Sequence, residues 1–153
     1  MKHPIQSSCN KFLRTVFKTD NQAQLEIKME ENKILTLDQL LFLEMSLTMF
    51  KIYKNTYPSA LQNLFHISSS TRSTRSRNNL ISETPRIKLT KQALSYKGPH
   101  IWKHIPNFVK YSNENDAIFR TYNVFKSHLT SFLLSIGPHE SKRVVDEILY
   151  SIV

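Results

Sequence analysis

Glycine is nearly missing from this chain: of 153 residues, only Gly98 and Gly137 are glycine. That excludes a glycine-rich loop cradling phosphates. Cysteine is scarcer still. Cys9 stands alone, so no intrachain disulfide and no Cys-rich zinc knuckle can form, and a reducing compartment is the default. No apolar run is long enough to cross a bilayer, the richest stretch, residues 40–50, being broken by Glu44 and Ser46. The opening MKHPIQSSCNKF has no secretory h-region and no small-residue cleavage site. These absences predict an intracellular protein, nuclear or cytoplasmic, that is not secreted and has no membrane partner. Adjacent aspartates are also lacking, and with them the paired carboxylates that two-metal nucleotidyl transfer requires. The only neighbouring acids are Glu30-Glu31 and Asp146-Glu147. His100 and His104 have the i, i+4 spacing of a helical metal pair, but no third ligand accompanies them and Pro106 ends the segment. We therefore expect no catalytic residues, no metal, no cofactor and no small-molecule substrate.

What the chain does have is positive charge, unevenly placed. The net charge is +9. Residues 1–65 hold eight Lys/Arg and six Asp/Glu, residues 66–110 nine and one, and residues 111–153 four and five. The three parts thus carry +2, +8 and −1, so the middle holds nearly all the excess. A basic belt between near-neutral ends is the electrostatic footprint expected for a polyanion.

The hydrophobic pattern divides the chain into four stretches that together make one domain. Residues 1–65 read as helical. Phe12, Leu13, Val16 and Phe17 suggest a first helix near 5–17, and Leu25 to Met29 a second short one. Thr36-Leu37-Asp38-Gln39 is a capping box, with Leu35 and Leu40 as its hydrophobic staple. The helix it starts runs to about Asn55. Leu37, Leu40, Leu41, Met45, Met49, Ile52 and Tyr53 are expected on its main face, and Phe42, Leu43, Leu47 and Phe50 elsewhere, so it should be buried on more than one side. Pro58 opens a last turn, residues 59–65.

Residues 66–84 form a basic Ser/Thr/Arg loop, SSSTRSTRSRNN at its centre, with too little apolar content to offset ordering entropy when free. Its Arg72, Arg75 and Arg77 alternate with hydroxyls, all able to donate to phosphate oxygens. Residues 85–110 begin with two period-two stretches, Arg86-Ile87-Lys88-Leu89 and Leu94-Ser95-Tyr96-Lys97. They predict a short β-hairpin with Ile87, Leu89, Leu94 and Tyr96 inside and Arg86, Lys88, Lys91 and Lys97 outside. Gly98 then gives a sharp turn at the strand exit, Pro99 opens a short helix, Ile101, Trp102 and Ile105 point inward, and Pro106 stops it. Tyr96, Gly98, Pro99, Trp102 and Pro106 are thus expected to make a rigid corner with a buried tryptophan anchor. In residues 111–153, Ile118, Tyr122, Phe125, Leu129, Phe132 and Ile136 form one helical stripe ended by Gly137-Pro138. Ser141 is placed to cap a final helix carrying Val144, Val145, Ile148, Leu149 and Ile152. The fold expected is mainly α: a helical bundle with a short β-hairpin and a mobile basic loop inserted between the main helices.

The corner SYKGPHIWKHIP resembles a pattern near the C-terminus of LINE-like non-LTR retrotransposon reverse transcriptases. Ser95, Tyr96, Gly98, Pro99, Trp102 and Pro106 match it, while Lys103 stands where asparagine is usual. The order of flanking features is similar as well: Gln6 and Arg14; Phe50-Lys51-Ile52-Tyr53 with Pro58 and Leu64-Phe65; Thr74-Arg75; Arg86 to Leu89; Phe125-Lys126, Leu129 and Phe132-Leu133. The likeness runs from about residue 6 to 135. It implies the thumb-distal part of an RNA-directed DNA polymerase, without the polymerase aspartates or the endonuclease domain, either a fragment of a larger frame or a decayed element copy. The expected function is then backbone binding of RNA or DNA by Arg72, Arg75, Arg77, Arg86, Lys88, Lys91, Lys97 and Lys103, with the remainder of a reverse transcriptase as a second partner. Two alternatives stay open: a helical protein-interaction module, and a transposon remnant with no selected function.

Overall fold

A computed structural model of the chain describes residues 4–54, 56, 58, 59, 65–67, 80, 81, 94–112, 120–137 and 143. Among these residues the fold is mainly helical. In chain order the elements are α1 (Pro4–Phe17), α2 (Gln22–Glu31), α3 (Leu37–Tyr53), β1 (His66–Ile67), β2 (Leu80–Ile81), α4 (Leu94–His104), α5 (Asn107–Lys110) and α6 (Tyr122–Ser135).

Helix α3 is the hub, and both α4 and α6 pack on it. Its start is the capping box foreseen above: Gln39 N–H donates to Thr36 Oγ1 at 3.2 Å and Thr36 N–H to Gln39 Oε1 at 2.8 Å. Gln39 has a second task, donating from Nε2 to the carbonyl of Leu133 at 2.8 Å, which pins the C-terminal end of α6 to the first turn of α3. The burial pattern of α3 differs from the expected one. Phe42, Leu43, Leu47, Met49, Phe50 and Ile52 are buried, whereas Leu40 and Leu41 are exposed. A helix apolar almost all round has no single face that periodicity can select. The choice was made by its partners, as the 4.4 Å stack of Phe50 on Phe125 illustrates.

One continuous core joins α3 to Phe65, to Ile101, Trp102 and Ile105 around α4, to Val109 of α5 and to Phe125, Leu129 and Leu133 of α6. In α6 the buried line is Phe125, Leu129 and Leu133, while Tyr122, Phe132 and Ile136 flank it half-buried. Gly137 ends this helix with φ +68°, the left-handed geometry expected of it. Ile118 and the segment with Val144, Val145, Ile148, Leu149 and Ile152 lie outside the described residues.

The expected hairpin needs correction. Residues 94–97 are not a strand: they form the first turn of α4. Four residues of period-two alternation also fit one helical turn, and Leu94, Gly98, Ile101, Trp102 and Ile105 continue it as a stripe at steps of four, three, one and three. The 86–89 half of that hairpin lies outside the described residues. A different and smaller ladder exists instead, with His66 opposite Ile81 and Ile67 opposite Leu80, antiparallel.

The roles of Gly98 and Pro99 change accordingly. Pro99 is inside the helix, at its sixth residue, not at its start. Gly98 is not left-handed, since Gly137 is the only described glycine with positive φ. Two other reasons select glycine here. A side chain before proline clashes with the ring in helical geometry, and glycine has none. A Cβ at Gly98 would also press into Met49 Sδ and come within 3.0 Å of Met49 Cε and 3.3 Å of Phe65 Cε1. The glycine is there for close approach, which lets α4 lie against α3.

Helices α1 and α2 stand apart from this core. They pack on each other, and α1 buries no residue at all. Asn21 caps α2, accepting from Ala23 N–H at 3.0 Å. Inside α2 only Leu25 and Met29 are buried.

Candidate nucleic-acid interface

Helix α4 has two sides of opposite character. Towards the core it presents Gly98, Pro99, Ile101 and Trp102, all buried. Away from it, Lys103 and His104 are exposed and His100 is half-buried. The tryptophan is only 2 % exposed. Its ring stacks on Tyr53 at 4.5 Å, lies 5.9 Å from Phe125, and has Lys110 Nζ over its face at 5.3 Å from the centroid. Trp102 therefore cannot stack a nucleobase in this fold. Pro106 breaks the helix and begins α5, whose ring Phe108 is 50 % exposed and meets Phe132 edge-on at 6.1 Å. Arg120 closes this corner by donating from Nε and Nη2 to the Phe108 carbonyl at 3.2 and 3.1 Å.

The predicted phosphate contacts divide into three groups. Arg72, Arg75, Arg77, Arg86, Lys88 and Lys91 lie outside the described residues. Lys103 is an exposed cation on the outer side of α4. Lys97 is a correction: it is 7 % exposed, on the core side of the helix, and burial pushes its ammonium below the usual lysine range. Lying three residues after Leu94, it flanks the core face of the helix and is not on the exposed outer strand face expected of it. Lys110 is also buried, and desolvation brings it down to about 8. The +8 counted over residues 66–110 therefore overstates what α4 and α5 offer to solvent.

His100 adds little charge at neutral pH. His100 is pushed down by burial first, then by the neighbouring His104 and Lys103. Its ring leans on Tyr96 at 4.9 Å. His104 Nδ1 is 2.8 Å from the carbonyl of His100, so that nitrogen is engaged with the backbone. Among the described residues no three His, Cys, Asp or Glu side chains gather where a metal ion would sit. No helix among them is long and apolar enough to cross a membrane.

Two residues beyond the expected set belong to this surface, Phe108 and Arg120. Nothing in the apolar periodicity marks Phe108 as exposed. Its one sequence signal is its place just after Pro106, in a turn too short to bury both of its faces. The chain matches no family model, no curated protein and no solved structure.

Proposed function

We propose that this chain is a non-catalytic nucleic-acid-binding segment, of the kind found near the C-terminus of LINE-like reverse transcriptases, and that it holds RNA or DNA by the phosphate backbone. The observation that carries this reading is the partition of charge: nine basic residues against one acidic residue in 66–110, between near-neutral flanks. Arg72, Arg75, Arg77, Arg86, Lys88, Lys91 and Lys103 are its contacts. Lys97, being buried, is removed from that set, and Arg120 joins it beside the exposed ring of Phe108. With Trp102 buried, the exposed ring of Phe108 is what this corner offers for stacking, so sequence preference is weak. No polymerisation is assigned to the chain, because it lacks the aspartate pair that would hold the two metals. The remainder of a reverse transcriptase is a second partner under this reading.

The test is a titration of labelled single-stranded RNA at several salt concentrations. Affinity falls with salt by a log–log slope of about −0.7 per phosphate contacted. Replacing Arg72, Arg75 and Arg77 together by Ser flattens the slope by roughly two units. Phe108→Ala weakens binding without altering the slope. Equal slopes for parent and triple variant would remove the loop arginines from the contact set. No binding at low salt would overturn the proposal as a whole.

A further inference from the structure

Helix α1 turns one side to the fold and another to solvent. Gln6, Asn10, Leu13, Arg14 and Phe17 are half-buried. Gln6 Nε2 donates to Asp38 Oδ2 of α3 at 3.1 Å, and Arg14 Nη2 to Gln22 Oε1 at 2.8 Å. Roughly a quarter-turn round the helix runs its most apolar row, Ile5, Phe12 and Val16, which are 57, 67 and 55 % exposed. The row extends about 16 Å along the axis. Three large apolar side chains in line, on a helix that buries no residue, are more than a scatter of surface hydrophobes.

The charge around this row has one sign. Residues 1–19 contain Lys2, Lys11, Arg14 and Lys18 and no acidic residue, the first being Asp20. Lys11 and Lys18 are both exposed. They lie roughly 120–140° round the helix from the row, where a long aliphatic stem can carry its ammonium back towards the row's edge. A second copy of α1 would bring these like charges together. RNA would meet the lysines but has no use for three apolar side chains. A partner protein's groove would have to wrap α1 on two sides, and its inner side is already held by α2 and α3. A flat anionic surface with an apolar interior satisfies both the row and the lysines. The expectation of no membrane partner rested on the lack of a spanning run, and a helix that lies on a membrane needs none.

We propose that α1 is a docking face for an anionic lipid surface, with Ile5, Phe12 and Val16 entering the boundary between headgroups and acyl chains, and Lys11 and Lys18 among the headgroups. The inference does not rest on the nucleic-acid reading, since α1 lies outside the basic belt.

The full-length chain is sedimented with vesicles of phosphatidylcholine alone and of phosphatidylcholine with about a quarter phosphatidylserine. It should bind the second and not the first, and release as salt rises. Charge attraction alone would not separate α1 from the basic belt, so two charge-matched variants decide. Phe12→Asp and Ser7→Asp each subtract one unit of charge at an exposed position of α1, but only Phe12 is in the row. Ser7→Asp should weaken binding by no more than about fivefold, the effect of one charge near such a surface, and Phe12→Asp by about fivefold beyond that. Equal losses in the two variants would assign binding to charge alone and overturn the proposal, as would no binding to either vesicle. Phe12→Trp reads insertion directly. Its emission should shift to the blue on the phosphatidylserine vesicles and be quenched by brominated acyl chains, against the constant emission of buried Trp102. An unshifted emission from vesicle-bound protein would overturn the proposal. So would a lipid-free dimer that Phe12→Asp abolishes, which would put a second copy on the row.

Discussion

The α3–α4–α6 core and the α1–α2 pair are built on opposite principles. The core is apolar and aromatic: Phe50 stacks on Phe125, Trp102 lies between Tyr53 and Phe125, and Phe42, Ile101, Leu129 and Leu133 pack with them. The pair is held by polar side chains. Arg14 Nη2 donates to Gln22 Oε1 at 2.8 Å, Lys28 Nζ to the Phe17 carbonyl at 2.7 Å, and Thr19 Oγ1 to Gln24 Oε1 at 2.9 Å. Even this seam is imperfect, with Arg14 Nε buried and unpartnered. A hydrogen bond that replaces one to water adds only about 1 kcal/mol net, while a fully buried large apolar side chain adds about 2–3 kcal/mol. The core should therefore set global stability, and the pair should open first.

The largest effect tests that division directly. Trp102→Ala should lower the unfolding free energy by about 3–5 kcal/mol, because a fully packed ring leaves a cavity that its neighbours only partly fill. Leu25→Ala removes one of the two buried side chains of α2 and should act locally. Amide exchange in residues 4–31 should rise sharply, while α3, α4 and α6 keep their protection. Hydrogen exchange followed by mass spectrometry separates the two outcomes. If Leu25→Ala exposed the core amides as Trp102→Ala does, the two regions would be one cooperative unit and the contrast would fail.

A smaller effect sharpens the core's side of the comparison. Lys110 keeps its ammonium over Trp102 at the cost of desolvation, with its pKa at about 8 against 10.5 for a free lysine. Between those values the unfolded chain binds more protons than the folded one, so stability rises with pH. Lys97 acts in the same direction. Tyr111, pushed up by burial, acts oppositely above pH 10, where its ionisation favours the unfolded chain. Between pH 8 and 10 the parent should gain on the order of 2 kcal/mol relative to Lys110→Met. Urea midpoints of both proteins at pH 7, 8.5 and 10 measure this. Parallel pH profiles would mean that Lys110 is solvated and that its contact with the ring is incidental.

Local chemistry was legible in the sequence wherever it needed few residues to specify it. Thr36 and Gln39 announce the start of α3, Gly137 announces the end of α6, and Leu25 to Met29 mark α2, because a cap or a left-handed turn is decided within a few positions. Tertiary choices were not legible. Leu94 to Lys97 alternate as a strand would, and only packing of Gly98 against Met49 and Phe65 shows that they begin a helix. Leu40 and Leu41 are as apolar as Phe42 and Leu43, and it is the placement of α4 and α6 that leaves the first two in solvent. The same blindness affects the candidate interface. A charge count registers Lys97 and Lys103 equally, but one faces the core and the other solvent.

The smallest effect concerns how each region ends its helices, and its sign differs between them. The core ends α6 with Gly137 at φ +68°, where a Cβ would meet nothing within 4 Å. The α1–α2 pair uses lysine for the same turn: Lys18 has φ 50° and Lys33 has φ 54°. Both are followed by a bond that spans the helix end, Thr19 N–H to Arg14 O at 3.1 Å and Ile34 N–H to Met29 O at 2.8 Å. An L-residue in this conformation costs about 1–2 kcal/mol, and glycine returns part of that gain through the larger entropy of its unfolded chain. Lys33→Gly should therefore stabilise α2 by about 0.5 kcal/mol, slowing amide exchange in residues 22–31 roughly twofold and leaving the core unchanged. Gly137→Ala should do the reverse at the end of α6, destabilising by about 1 kcal/mol through backbone strain alone. Should Lys33→Gly prove neutral or harmful, the lysine's aliphatic stem must contribute packing that offsets its strain, and the α1–α2 pair would be better built than its hydrogen bonds suggest.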